Sequence, residues 1–213
     1  MHEDFVRDHT VIQPAALVPE LRLHVATEIT PLWTATEAFL RVHDIEPPYW
    51  AFCWPGSQAL ARFILDNPER YRGRRVLDFA AGGGLAAMAL AKVGAFPLAV
   101  EIDPLAGVAM RCNAALNEVR FDIHIGDICA GPVPAVDALF AGDVCYSRPM
   151  VDRILPFFRR CAAAGVEVIL ADPGRAYVPA DQVERVGSYE VPTLLELEDK
   201  PQKRTDLIRL LAL

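Results

Sequence analysis

The sequence has no run of about 18 apolar residues, because Asp78, Lys92 and Glu101 interrupt its most hydrophobic stretches. A membrane-spanning helix is thereby excluded, and no membrane partner is expected. Nor is there an apolar leader before a small-residue cleavage site. MHEDFVRDHT carries both signs of charge, which predicts a soluble, cytoplasmic protein without a secretory signal. Positive charge is in deficit, with 21 Lys and Arg against 28 Asp and Glu for a formal charge of −7. Phosphate affinity comes from clustered Lys and Arg, so nucleic acid is not an expected partner, and a cationic substrate fits better. The five cysteines (Cys53, Cys112, Cys129, Cys145 and Cys161) are odd in number and form no Cys-x-x-Cys pair. Neither a disulfide framework nor a zinc knuckle is suggested, and they read as small core residues. The histidines show no His-Glu-x-x-His spacing, so no protein-bound metal is expected.

What is present is hydrophobic mass: 53% of the 213 residues, enough for one compact domain with its own core. A monomer is expected. The main compositional break falls at Glu46-Pro47-Pro48, where two prolines forbid a continuing helix. It divides an N-terminal extension, residues 1–48, from a domain spanning 49–213. Within the extension, Leu21–Val25 alternates like a strand and Thr36–His43 is predicted helical. A helix capped by Ser57 follows over Gln58–Leu65 and ends near Asn67-Pro68.

From Arg75 the pattern turns rhythmic. Strands are predicted at Val76–Ala80, Pro97–Glu101, Phe121–Ile125, Val136–Ala141 and Val166–Ala171, with helices at Leu85–Val93, Leu105–Asn117 and Val151–Ala163. Apolar strands alternating with helices imply an α/β fold whose mostly parallel sheet is covered on both faces. After Asp172-Pro173-Gly174 the order changes. A helix at Ala180–Val186 and strands near Ser188–Glu196 and Thr205–Leu211 predict a terminal antiparallel hairpin.

Between the first strand of this series and its helix lies Asp78-Phe79-Ala80-Ala81-Gly82-Gly83-Gly84, where nucleotide-type ligands bind in open sheets. Gly82-x-Gly84-x-x-Ala87 satisfies a loose dinucleotide fingerprint, and Glu101 at the end of the next strand could hold a ribose diol of NAD. Glycines alone do not choose between cofactors. Asp78 favours S-adenosylmethionine, because a carboxylate before the loop repels pyrophosphate, whereas the methyl donor carries an ammonium and a sulfonium. Asp78-x-Ala80-x-Gly82-x-Gly84 resembles the acidic-x-Gly-x-Gly-x-Gly signature of seven-strand methyltransferases, with Ala80 in place of a glycine. Ala80 serves there only with negative φ, since a Cβ makes the left-handed conformation costly. Glu101 is then placed to hold both ribose hydroxyls. Asp127 offers a carboxylate to the adenine amino group, with Ile128 as an apolar wall.

A narrower likeness extends from Pro48 to Arg175. The segment Pro48-Tyr49-Trp50-Ala51-Phe52-Cys53-Trp54-Pro55-Gly56-Ser57-Gln58-Ala59-Leu60 carries most of it. Asp66-Asn67-Pro68, the loop from Val76, Ile102–Gly107, Gly142-Asp143-Val144-Cys145-Tyr146 and Asp172-Pro173-Gly174-Arg175 complete it. Together these resemble the electron transfer flavoprotein β-subunit lysine methyltransferases, within a larger group of protein lysine methyltransferases that share Asp-x-x-Tyr after strand four. The resemblance implies a Rossmann-like seven-strand methyltransferase fold. It implies methyl transfer from S-adenosylmethionine, leaving S-adenosylhomocysteine, to lysines of the flavoprotein β-subunit. It places Trp54 beside the cofactor, brings the Gly142 backbone to it, and makes Asp143 and Tyr146 the catalytic pair framing the lysine. Ser147-Arg148-Pro149 departs from the acidic stretch typical of relatives and puts a cation near the lysine channel. A small-molecule N-methyltransferase and a noncatalytic cofactor-binding module are the alternatives.

Overall fold

The computed structural model describes residues 2–27, 48–193 and 199–212. It begins with a helix, α1 (His2–His9), and an antiparallel hairpin of β1 (Val11–Ala15) and β2 (Val18–Val25). A 3-10 turn at Tyr49–Ala51 leads into α2 (Pro55–Asp66) and a short α3 (Pro68–Tyr71). Next come β3 (Arg75–Phe79), α4 (Leu85–Lys92), β4 (Phe96–Glu101), α5 (Pro104–Leu116) and β5 (Asp122–Ile125). Then follow β6 (Ala138–Gly142), α6 (Arg148–Ala163), β7 (Glu167–Asp172), β8 (Val183–Pro192) and β9 (Gln202–Leu210).

Seven strands form one sheet in the order β5-β4-β3-β6-β7-β9-β8. The first five are parallel, and β9 runs antiparallel between β7 and β8. This is the α/β sheet with an antiparallel terminal hairpin that the periodicity predicts. Strand composition explains the layering. In β6, Ala138 and Phe140 join the core under α2 and α4, whereas Leu139 and Ala141 join the core under α6. That is the two-residue alternation of a strand covered on both faces. The order of strand addition reverses between the parallel neighbours β3 and β6, with β4 and β5 on one side and β7 on the other, so their C-terminal ends open a crevice suited to a ligand. Among the described residues no helix is long and apolar enough to cross a membrane.

Three expectations change. The helix after the aromatic segment is not capped by Ser57: it begins at Pro55, with Trp54 at the N-cap, because proline's fixed φ suits the first helical position. No helix forms at Ala180–Val186. Gln182 has φ 55°, and β8 pairs with β9 from Val183↔Leu210 to Pro192↔Gln202, a ladder that overrides weak local helix preference. The hairpin of the N-terminal extension also belongs to the body. Ala15, Val18, Leu21, Leu23 and Val25 share one core with Leu60, Ile64 and Met88. The predicted helix at Thr36–His43 and the residues Glu46-Pro47 lie outside the described residues.

Two buried asparagines, Asn113 in the last turns of α5 and Asn117 at its C-cap, fasten that hairpin. Asn117 accepts from the Arg22 N–H at 2.9 Å and donates to the Arg22 carbonyl at 2.6 Å, and Asn113 accepts from the His24 N–H at 2.8 Å. The α5 side chains thus act as a substitute strand edge for β2. Four of the cysteines are buried, Cys53 is half-buried, and all five are free, as small core residues should be.

Candidate active site

A cleft of about 660 Å³ opens at the C-terminal ends of β3, β4 and β6, within the size range of small-molecule sites. The glycine loop forms its floor on one side. Ala80, Gly82 and Gly84 all have positive φ, at 53°, 53° and 80°. The negative φ required of Ala80 is therefore not what the chain adopts. The turn out of β3 needs left-handed backbone there, and the Cβ makes that cost roughly 1–2 kcal/mol. Gly83 has no room for a side chain, since a Cβ would lie 2.9 Å from the Trp50 carbonyl. Its own carbonyl accepts from Asn113 Nδ2 at 2.9 Å, so the asparagine that holds the hairpin also holds the loop.

Glu101 ends β4 with its carboxylate over this loop. Oε2 accepts from the Gly82 N–H at 3.0 Å and Oε1 from the Ile102 N–H at 2.7 Å. Both oxygens keep further acceptor capacity. The helix after Asp103-Pro104 is capped by Asp103, which accepts from the Leu105 N–H at 2.7 Å, leaving Glu101 out of that role. Asp127 lines the cleft beside Ile128. Its Oδ1 accepts from the Cys129 N–H at 2.9 Å and its Oδ2 pairs with Arg153. The backbone donor first, and Arg153 second, hold its carboxyl below the usual range.

Asp78 and Gly84, expected at the cofactor, are not among the residues that line the cleft. Asp78 is buried beneath the loop, accepting from the Ala87 N–H of α4 at 2.9 Å. Burial pushes its carboxyl up to about 7, with the Glu101 charge adding to the rise. Gly84 is the N-cap of α4, and a Cβ on it would meet Met110 and Phe121.

On the other side of the crevice, β6 ends at Gly142, and Asp143 takes φ 58°. Its carboxylate Oδ2 accepts from the Gly56 N–H at 2.6 Å and the Ser57 N–H at 3.2 Å, capping α2 from a distance in sequence. Oδ1 accepts from Arg175 Nη2 at 3.3 Å. Burial pushes the Asp143 carboxyl up to about 7, Arg175 opposes that shift, and Asp172 adds to it. The helix beginning near Pro149 is capped by Ser147 instead. Two glycines permit this junction. A Cβ on Gly56 would lie 2.4 Å from the Ala171 carbonyl, and one on Gly142 would lie 2.8 Å from the Ser57 nitrogen. Gly142 lines the cleft, but its missing side chain makes room for α2.

The aromatic segment divides. Trp50 is buried with Ala106 and Ala109 of α5, a core residue. Trp54 lines the cleft and donates from Nε1 to the Tyr49 carbonyl at 2.8 Å. The Phe52 ring lies 5.7 Å from that of Trp54, and Tyr146 lies 6.1 Å from Tyr49. Tyr49 and Tyr146 are about half exposed, so they form an open aromatic rim. Arg148 does not line the cleft: it pairs with Asp152 on its own helix at 2.8 Å, and the cation expected near the channel is turned away.

Residue patterns did not single out Tyr49, Asn113 or Arg175 as parts of the site. The available signals were two asparagines at i, i+4 on an apolar helix and an arginine directly after the Asp172-Pro173-Gly174 turn.

Comparison with models of known protein families finds no match. Individual proteins do match. The chain is 37% identical over 184 residues to the electron transfer flavoprotein beta subunit lysine methyltransferase of Xenopus laevis, covering 85% of this chain and 74% of that protein. It is 34% identical over 187 residues to the protein of the same name from Danio rerio, covering 86% and 71%. Among solved structures, it is similar to magnesium protoporphyrin IX methyltransferase from Synechocystis with bound SAM. The TM-score is 0.54 at 14% identity, covering 72% of this chain and 79% of that one.

Proposed function

The chain belongs to the electron transfer flavoprotein β-subunit lysine methyltransferase family, and from that membership and the chemistry of its cleft we propose that it methylates lysine side chains of that flavoprotein subunit. The donor in this reading is S-adenosylmethionine. The observation that carries it is the Glu101 carboxylate on the Gly82 N–H. A dinucleotide site presents such loop N–H groups to pyrophosphate. Here a carboxylate takes that position, with Asp78 buried below it, and this environment favours a cationic ligand over a doubly anionic one. Relatives and a structural neighbour named as methyltransferases support the same choice.

In this reading Glu101 holds the ribose hydroxyls, while Asp127 and Ile128 flank the adenine. Gly82, Ala80, Gly142 and Trp54 shape the walls around the donor. When bound, the sulfonium of the donor supplies a methyl group already activated for displacement. The protein's contribution is therefore mainly positioning. A lysine has an ordinary pKa of about 10.4 and must lose its proton before its nitrogen can attack. Tyr49, Trp54 and Tyr146 guide the aliphatic stem and favour a cation by ring-face attraction at the entrance. Asp143 accepts a hydrogen bond from the amine and aims its lone pair, and Tyr146 steadies it from the rim.

The test is incubation with methyl-labelled S-adenosylmethionine and purified electron transfer flavoprotein. Label on lysines of the β-subunit is expected, and label on small molecules alone would overturn the reading. Calorimetry of Glu101→Ala should show cofactor binding weaker by about 1.5–3 kcal/mol, the scale of hydrogen bonds to a charged group. Unchanged affinity would remove Glu101 from the site.

A further inference from the structure

The floor of the cleft beside Asp143 holds more charge than orienting one amine requires. Arg175, from the turn after β7, places Nη2 3.3 Å from Asp143 Oδ1. Its own backbone N–H donates to Asp172 Oδ1 at 2.6 Å, which fixes where the side chain starts. The ion pair is largely shielded, with side-chain exposures of 24% for Arg175 and 9% for Asp143. Arg175 also lines the cleft. A second cation therefore already stands on the carboxylate that, in the reading above, meets the lysine.

A buried carboxylate with no cation has two faults as an amine holder. It takes up a proton and becomes a donor, or it stays charged and traps the arriving amine as an ammonium, which has no lone pair to attack with. A cation beside the amine site works against both, as neighbouring positive charge does for nucleophilic lysines elsewhere. An arginine is suited to this because its guanidinium stays protonated. We propose that Arg175 is a positioning residue for methyl transfer, pairing with Asp143 so that the carboxylate ionises more readily and stays aimed while the substrate amine stays neutral.

Among the described residues, the remaining surroundings leave this task to Arg175. From α2 the carboxylate receives only the Gly56 and Ser57 N–H groups. Asp172 on β7 adds like charge. In its own loop, the Cys145 thiol is pushed up to about 12 by burial and stays protonated, and Tyr146 is a neutral phenol raised by burial. Arg175 is the cation that acts on Asp143 among these groups.

The inference rests on the lysine methyltransferase reading, and the experiment separates the two. Methyl transfer to the flavoprotein β-subunit is measured against pH for wild type, Arg175→Met, Arg175→Lys, Asp143→Asn and the Asp143→Asn/Arg175→Met double variant. In parallel, the Asp143 carboxyl is titrated by carbon NMR without substrate. In Arg175→Met the acidic limb of kcat should move up by about one pH unit or more, the effect of losing a close opposite charge. The carboxyl midpoint should move up with it. Arg175→Lys should restore both, and affinity for S-adenosylhomocysteine should stay near wild type in every variant. The double variant should superimpose on Asp143→Asn.

A rate lowered equally at every pH, or an unmoved carboxyl midpoint, would overturn the proposal. Should Arg175→Met not fold, the double variant, which lacks the unpaired buried charge, decides: any further change of profile relative to Asp143→Asn overturns it. If wild type transfers no methyl to the flavoprotein, the functional reading fails, while the carboxyl titration still judges the role of Arg175.

Discussion

Asp78 in β3 and Asp143 just beyond β6 belong to neighbouring parallel strands, yet they do different work. Each is a carboxylate largely shielded from solvent, each accepts backbone N–H at the start of a helix, and each is pushed up to about 7 by burial. Asp78 lies on the strand and points under the glycine loop towards α4. Asp143 lies one residue past its strand in left-handed backbone, lines the cleft and pairs with Arg175. A raised pKa and a helix N-terminus are thus not enough to mark a functional acid. Access to the cleft separates them: Asp78 is level with Phe140 in the sheet and lies within its strand, three residues short of the level of Asp143.

The comparison breaks most sharply in turnover. Asp143→Ala should lower methyl transfer by roughly 100-fold or more, the scale of a lost positioning or proton-handling group, while keeping cofactor affinity. Asp78→Asn keeps an acceptor for the Ala87 N–H and should stay near wild-type turnover. Initial rates and calorimetry on the two variants check this, and a larger rate loss in Asp78→Asn would reverse the assignment.

In stability against pH the two should instead behave alike. Both carboxyls stand near 7 in the folded protein against an ordinary 3.8. The folded state therefore holds the protons more tightly, and each group's contribution to stability is full below the unfolded value and lost as pH rises through the folded value. The stability of Asp78→Asn relative to wild type should then climb between about pH 4 and pH 7 and level off above, as should that of Asp143→Asn. Urea denaturation across that range measures it, and a difference flat in pH would mean that burial does not hold these protons.

The smallest effect concerns backbone strain. Asp143 tolerates its left-handed conformation through a short polar side chain and the hydrogen bonds that hold it, but Ala80 has no such compensation. Ala80→Gly should stabilise the fold by about 1 kcal/mol, because relief of the Cβ conflict outweighs the added freedom of the unfolded chain. Unchanged or lower stability would show that the loop accommodates the methyl group without strain.

Much of this organisation is legible in the sequence. Strand and helix periodicity located the β3–α4–β4–α5 units to within a residue or two, because apolar alternation is local and the parallel sheet demands it. Glu101 and Asp127 could be placed at the cleft because strand ends are predictable from the same pattern. Local signals misled where a distant partner prevailed. The start of β8 reads as helix until β9 supplies its ladder, and Ser57 reads as a cap although α2 begins two residues earlier.

Contiguous residues and their spacing carry the α/β class and the strand-end carboxylates, and the resemblance of the Pro48–Arg175 segments points to the family. That Asp78 lies beneath the loop, that Asp143 caps α2 across 87 positions of chain, and that Arg175 meets it are outcomes of long-range packing. The reason is physical: whether a carboxylate faces a cleft or a core, and which cation reaches it, depends on packing between segments far apart in the chain. No local pattern encodes that separation.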